Sequence, residues 1–286
     1  MIYFTLQNFY ENQKLNNILL TVNTNFPNSF KIPVKFIYAA GSFPYTYWNG
    51  GINNNFGIGN NTYNTVFEYA RMSILPLRIN CSNINLIDED FDDTIMNVIL
   101  NLLNNSSNAI ELSNLKLYEY LYTKYPNFRY ILSNNFNLLN PLTPELINKL
   151  NDICDFYFIQ IPLDKIKDFD YLKAIKNKKN IELPIGDICN LCSNINNCNI
   201  QEQTAQYNYS DSFTKINCSK CLGLSSIISL EDIEKSYIPL GFHNFILPDY
   251  CNAKNNNMVK FFINYFIKNS DKLSIYEYIE ELINYD

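Results

Sequence analysis

Five of the eight cysteines in this chain of 286 residues lie in one segment, residues 187–222. Their spacing is C-x2-C-x5-C-x19-C-x2-C, so that two C-x-x-C pairs flank one further thiol. Paired thiols at such spacings are typical of sites that hold Zn²⁺ or an iron–sulfur cluster, both of which take cysteine ligands. The spacing alone does not distinguish a zinc site from an iron–sulfur site. The five residues are Cys189, Cys192, Cys198, Cys218 and Cys221.

The start of the chain bears on whether these thiols bind metal or form disulfides. It lacks the basic stretch and sustained apolar run of a secretory signal. No segment reaches the roughly 18 apolar residues that a membrane-spanning helix needs. We therefore expect a cytoplasmic protein without a membrane span, in which the cysteines hold a metal. Disulfides in an exported or virion-associated protein are the alternative.

Composition argues against several classes of function. The formal charge is −6 and arginine occurs only at Arg71, Arg78 and Arg129, so broad nucleic-acid binding through phosphate neutralisation is not expected. The chain has one histidine, His243, which excludes histidine-rich zinc sites and argues against a Ser-His-Asp triad. We expect a structural role for it. Metal ligands must then come from cysteine or carboxylate.

Apolar runs typical of strands alternate with helical patterns along the chain. The alternation predicts repeated βα units, and eight strands favour a (β/α)8-like barrel of the TIM type over an open parallel α/β sheet. We expect residues 1–33 to be an N-terminal extension, 34–254 the barrel with its cysteine-rich segment, and 255–286 closing helices. The predicted strands are residues 34–40, 75–80, 109–112, 129–132, 156–161, 181–185, 225–229 and 242–247.

Local signals mark the starts of two helices. The acidic residues 88–93 precede a helix predicted to end near Leu103, where carboxylates complement the positive helix terminus. Thr143 stands directly before Pro144 and is expected to cap the next helix. Cys81 and Cys154 each border an apolar element, so we expect buried thiols at these positions.

Polar residues that follow the strands are the candidates for a substrate site. In (β/α)8 barrels the chemistry lies at the C-terminal ends of the strands, so these residues are expected to converge in space. Cys251 follows the last predicted strand and is expected on the same rim as Cys189. The predicted pocket residues are Tyr45, Tyr47, Trp48, Asn49, Asn80, Asn134 and Gln160.

The C-terminal part of the chain resembles the U32 peptidase-like proteins. In that family a barrel strand leads into a cysteine segment, and a later motif, Gly-hydrophobic-x-x-Phe-Lys-Ile-x-Gly-Arg, closes the barrel. Residues 237–250 read YIPLGFHNFILPDY. Gly241, Phe242, Phe245 and Leu247 fit the motif, whereas Ile246 stands where the family has Lys, and Asp249 and Tyr250 replace its Gly-Arg pair.

The resemblance implies a [4Fe–4S] cluster held by four cysteines on a barrel. The characterised members of the U32 peptidase-like family mostly assist hydroxylation of RNA bases or of a quinone precursor. Carried over to this chain, the ligands are Cys189, Cys198, Cys218 and Cys221, with Cys192 or Cys251 as substitutes.

Together these features lead to one hypothesis and one rival. We expect an iron–sulfur-dependent barrel enzyme that modifies, by hydroxylation, a nucleobase or a small aromatic metabolite. The rival is a non-catalytic binding or scaffold protein in which Zn²⁺ on the same cysteines fixes a loop.

Overall fold

The computed structural model describes residues 1–7, 13–41, 48, 68, 70–186, 227–248 and 255–284, with backbone alone for 255–258. Within these ranges no helix is long and apolar enough to cross a membrane. The cysteine segment, most of the loop after residue 41, and residues 249–254 lie outside the described residues.

Eight parallel strands form a closed barrel in which each strand pairs with its sequence neighbours and the last pairs with the first. The (β/α)8 prediction is therefore confirmed, and closure excludes the open sheet. The strands are β1 Ile2–Leu6, β2 Val34–Gly41, β3 Leu77–Cys81, β4 Ala109–Leu112, β5 Arg129–Leu132, β6 Phe156–Gln160, β7 Ile181–Pro184 and β8 Asn244–Ile246.

The first strand corrects the prediction that residues 1–33 are an extension to the barrel. β1 lies between β2 and β8 and pairs with both, so Ile2–Leu6 closes the ring. Phe4 and Leu6 are completely buried, which explains why so short an apolar run at the start of the chain is held in the sheet.

The predicted strand at residues 225–229 is wrong for residues 227–229, which are not part of a strand. Ser229 instead caps a helix: its hydroxyl accepts from the Asp232 backbone N–H at 3.0 Å, and the Asp232 carboxylate accepts from the Ser229 backbone N–H at 3.3 Å. This reciprocal capping box stabilises a helix start at the place where the apolar pair Ile227 and Ile228 had indicated a strand.

Helices cover the outside of the barrel. Side-chain caps fix their starts: Asp93 accepts from Met96 N, and Thr143 from Leu146 N, as the sequence predicts. The α-helices are α1 Gln13–Asn25, α2 Thr94–Leu103, α3 Leu115–Lys124, α4 Pro144–Ile153, α5 Phe169–Ala174, α6 Leu230–Asp232, α7 Asn255–Phe266 and α8 Lys272–Asn284. Shorter turns of helix are Pro27–Ser29, Asp88–Asp92, Asn134–Leu138, Leu163–Lys165, Lys178–Asn180 and the π-turn Ile233–Tyr237.

Two apolar layers hold the barrel together. Between strands and helices, Phe36 packs against Phe262 and Phe266 of α7, with ring centroids 6.1 and 5.6 Å apart. Inside the ring, toward its N-terminal end, Tyr38 packs in a buried cluster with Ala109, Ile131 and Phe158. This plug leaves the C-terminal half of the lumen for polar side chains.

Candidate functional site

The described residues on either side of the cysteine segment meet at the C-terminal end of β7. Ile185 directly follows this strand, and its carbonyl oxygen accepts a hydrogen bond from the Ile228 backbone N–H at 2.6 Å. The chain thus leaves the barrel after Gly186 and returns beside the same point at Ile227. The segment that carries the five cysteines is therefore anchored to the rim where (β/α)8 barrels place their chemistry.

Gly186 makes this close return of the chain sterically accessible. Its φ is +151°, and a Cβ built there would lie 2.9 Å from Ile227 Cα, closer than real Cβ contacts come. A larger residue would have to push the returning backbone away. The anchor of the cysteine segment thus depends on glycine.

A charged network crosses the lumen below this rim. Arg78 Nη1 of β3 donates to both carboxylate oxygens of Glu182 on β7, at 2.9 and 2.6 Å. β3 and β7 stand opposite each other in the ring of eight, so this ion pair spans the barrel interior. Thr5 Oγ1 donates to Glu182 Oε1 at 2.8 Å and Gln160 Nε2 donates to Glu182 Oε2 at 3.1 Å. Side chains from four strands therefore meet at one buried carboxylate.

Arg78 is completely buried and also lies 2.9 Å from Glu111 on β4, measured from Nε to Oε2. Burial opposes its charge, but the attraction of Glu111 and Glu182 outweighs this and raises the pKa of the guanidinium. The contact to Glu111 is an ion pair without hydrogen-bond geometry, and Nη2 has no hydrogen-bond partner among the described residues. The centre of the lumen thus holds one arginine between two carboxylates, and these three described residues carry a formal charge of −1.

Gln160 connects this network to the rim. Its Oε1 accepts from the backbone N–H of Asn134 at 3.0 Å, while its Nε2 donates to Glu182. Both ends of the side chain are therefore engaged by the protein's own groups. Gln160 holds the loop after β5 in place, and Asn134 presents its half-buried side chain from that loop.

A second polar chain joins the loops after β3 and β5. Asn80 Oδ1 accepts from the backbone N–H of Ser82 at 2.9 Å and also from the Ser82 hydroxyl. Ser82 Oγ in turn accepts from Asn135 Nδ2 at 3.4 Å. Gln160 thus contacts Asn134 directly, Asn80 connects to the neighbouring Asn135 through Ser82, and the substrate-binding role of these residues stays a prediction. Tyr45, Tyr47 and Asn49, and the five cysteines of residues 187–222, lie outside the described residues.

Trp48 has a different placement from the predicted one. Its side chain is completely buried, its Nε1 donates to the carbonyl oxygen of Asp90 at 2.7 Å, and its own carbonyl accepts from Asn83 N at 3.0 Å. The indole lies edge-on to Tyr120. These contacts give Trp48 a packing role that ties the loop after β2 to the turn Asp88–Asp92, in place of the predicted role as a pocket wall.

The two cysteines inside the described ranges are free thiols, and the prediction that both are buried is confirmed for Cys81 but wrong for Cys154, which is half-buried. Cys81 is completely buried, and this burial raises its pKa well above the ordinary value, which disfavours a metal-binding thiolate. Cys154 follows α4 and precedes β6, so it lies at the N-terminal end of the barrel, away from the rim. No group of three or more His, Cys, Asp or Glu that could hold a metal occurs in the described part of the chain.

Sequence reasoning missed the charged residues of the lumen. Arg78, Glu111 and Glu182 each stand inside a short strand that is otherwise mostly apolar and buried. A charged residue in the middle of a buried strand needs a charged partner, and this was the signal that could have found them. Ile246, where the U32 motif has Lys, is buried on the strand face opposite Phe245, so the lumen lacks a cation there.

The N-terminal mouth of the barrel is closed by a different arginine. Arg129 Nη1 donates to the Tyr38 hydroxyl at 3.1 Å, and its guanidinium lies 4.5 Å from the centre of the Tyr157 ring. Burial raises the pKa of Tyr38 to about 12, although the hydrogen bond from Arg129 works in the opposite direction. This end is sealed by packing and a cation–π contact.

Comparison with known proteins identifies the fold and nothing finer. No protein-family model matches the chain, and no curated protein matches it. Among solved structures, the U32 peptidase Mk0906 is similar with a TM-score of 0.54 and 11% sequence identity, over 87% of this chain and 93% of that one. The chain therefore has a fold distantly like that of a U32 peptidase.

Proposed function

We propose that this protein is an iron–sulfur-dependent barrel enzyme, divergent from the U32 peptidase-like proteins, that hydroxylates a nucleobase or a small aromatic metabolite. One observation carries the proposal: the residues that flank the cysteine segment are joined at the C-terminal end of β7, through the hydrogen bond from Ile228 to Ile185. β7 also supplies Glu182, the centre of the lumen network, so a metal on this segment would be tethered to the same strand.

The donor set fits such a cluster. Thiolates are the ligands that [4Fe–4S] centres use, and the segment offers five for four positions. We propose Cys189, Cys198, Cys218 and Cys221 as ligands, with Cys192 or Cys251 as substitutes. When bound, the cluster would supply electron transfer. Such a site also suits a reducing compartment, which supports a cytoplasmic location.

The protein's own residues would shape the substrate site. The ion pairs of Arg78 fix the opposite strands β3 and β7, and Gln160 fixes the loop after β5. Asn80 and Asn134 then stand half-buried on the rim, where amide groups can bind the polar edge of a ring. Tyr45, Tyr47 and Asn49 stay proposed pocket residues on the loop after β2.

One observation favours the rival, a binding or scaffold protein with structural Zn²⁺. Gln160 and the Asn80 oxygen already have hydrogen-bond partners within the chain, and the lumen carboxylates face an arginine. Polar groups that already have partners within the chain can stabilise the barrel without taking part in a reaction, as the rival function requires. The identity of the bound metal, iron–sulfur cluster or Zn²⁺, distinguishes the two proposed functions.

The test is the metal content of protein purified and reconstituted without oxygen. We expect about four iron and four sulfide ions per chain, with absorption near 400 nm. The double variant Cys218→Ser/Cys221→Ser should lose the iron, whereas the matched variant Cys154→Ser should keep it, because Cys154 lies at the other end of the barrel. About one zinc ion per chain without sulfide would overturn the proposed function in favour of the rival.

A further inference from the structure

A pocket of about 620 Å³ opens on the C-terminal face, beside the rim residues described above. Three successive loops form it, those after β3, β4 and β5. Its volume is in the range of pockets that bind small molecules. Its walls include Ile84, Leu86, Ile87, Ser113, Phe136 and Leu139.

Ser113 is a buried polar residue in the pocket wall whose hydroxyl has no partner among the described residues. It directly follows β4 and is 1% exposed, and its Oγ has no hydrogen-bond partner in the described part of the chain. A buried hydroxyl left unpaired destabilises the protein, because the hydrogen bonds that it makes to water in the unfolded chain are not replaced. A ligand that enters the pocket and offers a donor or acceptor to this hydroxyl would remove that destabilisation.

The pocket mouth carries apolar side chains that face solvent. Ile87 is 59% exposed and Leu139 is 57% exposed, on loops from two different strands, while Phe136 is buried beneath them. Large apolar residues gathered around an opening are the surface that a flat ring covers well. The walls therefore suit an aromatic body better than a strongly hydrated one.

The charges around the pocket are mostly negative. Asp88 and Glu89 line it, and the one cation among its lining residues, Lys116, is 3.1 Å from Asp88. Asp92, at the end of the same turn, is exposed as well. A phosphate entering here would meet net negative charge, since the lysine is paired with Asp88 and the Glu89 carboxylate is left without a cation among the lining residues.

We propose that this pocket binds an uncharged aromatic ring compound of nucleoside size that carries no phosphate, with Ser113 as a hydrogen-bonding residue. The inference rests on the proposed function and narrows its substrate to a free small molecule, because the backbone of an RNA would bring phosphates against Asp88 and Glu89. The ring would lie between Ile87 and Leu139.

The test uses protein with labelled isoleucine and leucine methyl groups, titrated with the four ribonucleosides, phenol, the four nucleoside monophosphates and a short RNA hairpin. We expect at least one uncharged probe to shift the Ile87 and Leu139 signals saturably, and its phosphorylated form to bind at least tenfold more weakly. No saturable shift with any uncharged probe would overturn the inference. Equal or tighter binding of the monophosphates or of the hairpin would overturn it too.

Variants test the apolar pocket mouth and the Ser113 hydroxyl one at a time. Leu139→Glu should weaken binding at least tenfold, whereas Leu273→Glu, on α8 and 70% exposed, should leave it unchanged. Ser113→Ala should weaken binding about fivefold without lowering stability, because the hydroxyl has no partner to lose among the described residues. Unchanged binding in Leu139→Glu would place the ligand elsewhere and contradict the pocket.

The titration is run on metal-free and on reconstituted protein. Binding that persists in a protein unable to take up iron would overturn the proposed iron–sulfur function and leave the pocket intact. Iron uptake without binding of any uncharged probe would overturn the inference about the pocket and leave the proposed iron–sulfur function intact.

Discussion

Two arginines point into the same barrel, and their surroundings differ sharply. Arg78, in the middle of the lumen, is completely buried and lies between Glu111 and Glu182. Arg129, at the N-terminal mouth, is half-buried and meets a tyrosine hydroxyl and an aromatic face. The first binds opposite strands by charge; the second closes an opening by packing.

The contacts of the two arginines lead to opposite ends of the barrel. The network around Arg78 continues upward through Gln160 to the loop that follows β5. The contacts of Arg129 end at Tyr38 and Tyr157, next to the apolar plug of the lumen. A disturbance at Arg78 should therefore reach the C-terminal face, whereas one at Arg129 should stay local.

The largest effect is expected from removing the central cation. Arg78→Met leaves two buried carboxylates without their counter-charge, and breaking such a pair costs about 3–5 kcal/mol. The matched variant Arg129→Met loses one hydrogen bond and a partly exposed cation–π contact, which together contribute about 1–2 kcal/mol. The free energy of unfolding in urea measures both.

Arg78→Lys is a second variant for the case that Arg78→Met does not fold. It keeps the charge but has one nitrogen, whereas Arg78 meets Glu111 through Nε and Glu182 through Nη1, so its stability should fall between wild type and Arg78→Met. Equal losses for the Arg78 and Arg129 variants would contradict the contrast between the two arginines.

The next effect is a pH dependence at Tyr38, which lies at the mouth. Its pKa is raised from 10.0 to about 12, so the folded state favours the protonated phenol. The resulting stability, about 2–3 kcal/mol for two pH units, is fully present below pH 10 and is lost as the pH rises through about 12. Subtracting the profile of Tyr38→Phe from that of wild type isolates this loss. A flat difference between pH 10 and 12 would show that Tyr38 is not buried as described.

A smaller effect is expected at Gln160, which links the lumen to the rim. Gln160→Ala leaves the Asn134 backbone N–H without its partner and removes one of the two donors to Glu182 Oε2, at a cost of about 1–3 kcal/mol. Combined with Arg78→Met, its effect should be non-additive, while combined with Arg129→Met it should add. A double-mutant cycle on unfolding free energies measures this. Additivity in both pairs would break the proposed connection between lumen and rim.

Local patterns predicted the elements of the barrel well. The cap at Thr143 and the acidic helix start at residues 88–93 were readable, because each depends on residues close in sequence. Seven of the eight predicted strands occur. The strand-like pattern of Ile2–Leu6 was also readable, but its place in the ring was not, because its pairing with β2 and β8 joins residues far apart in the chain.

The site was less predictable because its contacts are distant in the chain. Arg78 and Glu182 are separated by 104 residues, and their pairing follows only from the closure of the ring. Trp48 shows the same limit: its type and loop indicated a pocket wall, whereas Asp90 and Tyr120 bury it. Asn80, Asn134 and Gln160 were predictable because strand ends of a parallel barrel share one face.

The most direct test of the central claim locates the metal on the barrel. Protein with labelled isoleucine δ1-methyl groups is reconstituted without oxygen, and its spectrum is compared before and after reduction of the metal. We expect reduction to broaden the signals of Ile185 and Ile228, which flank the cysteine segment at the rim, and to leave Ile153 at the other end unchanged. No change on reduction, or an effect centred on Ile153, would contradict an iron–sulfur cluster on the C-terminal rim.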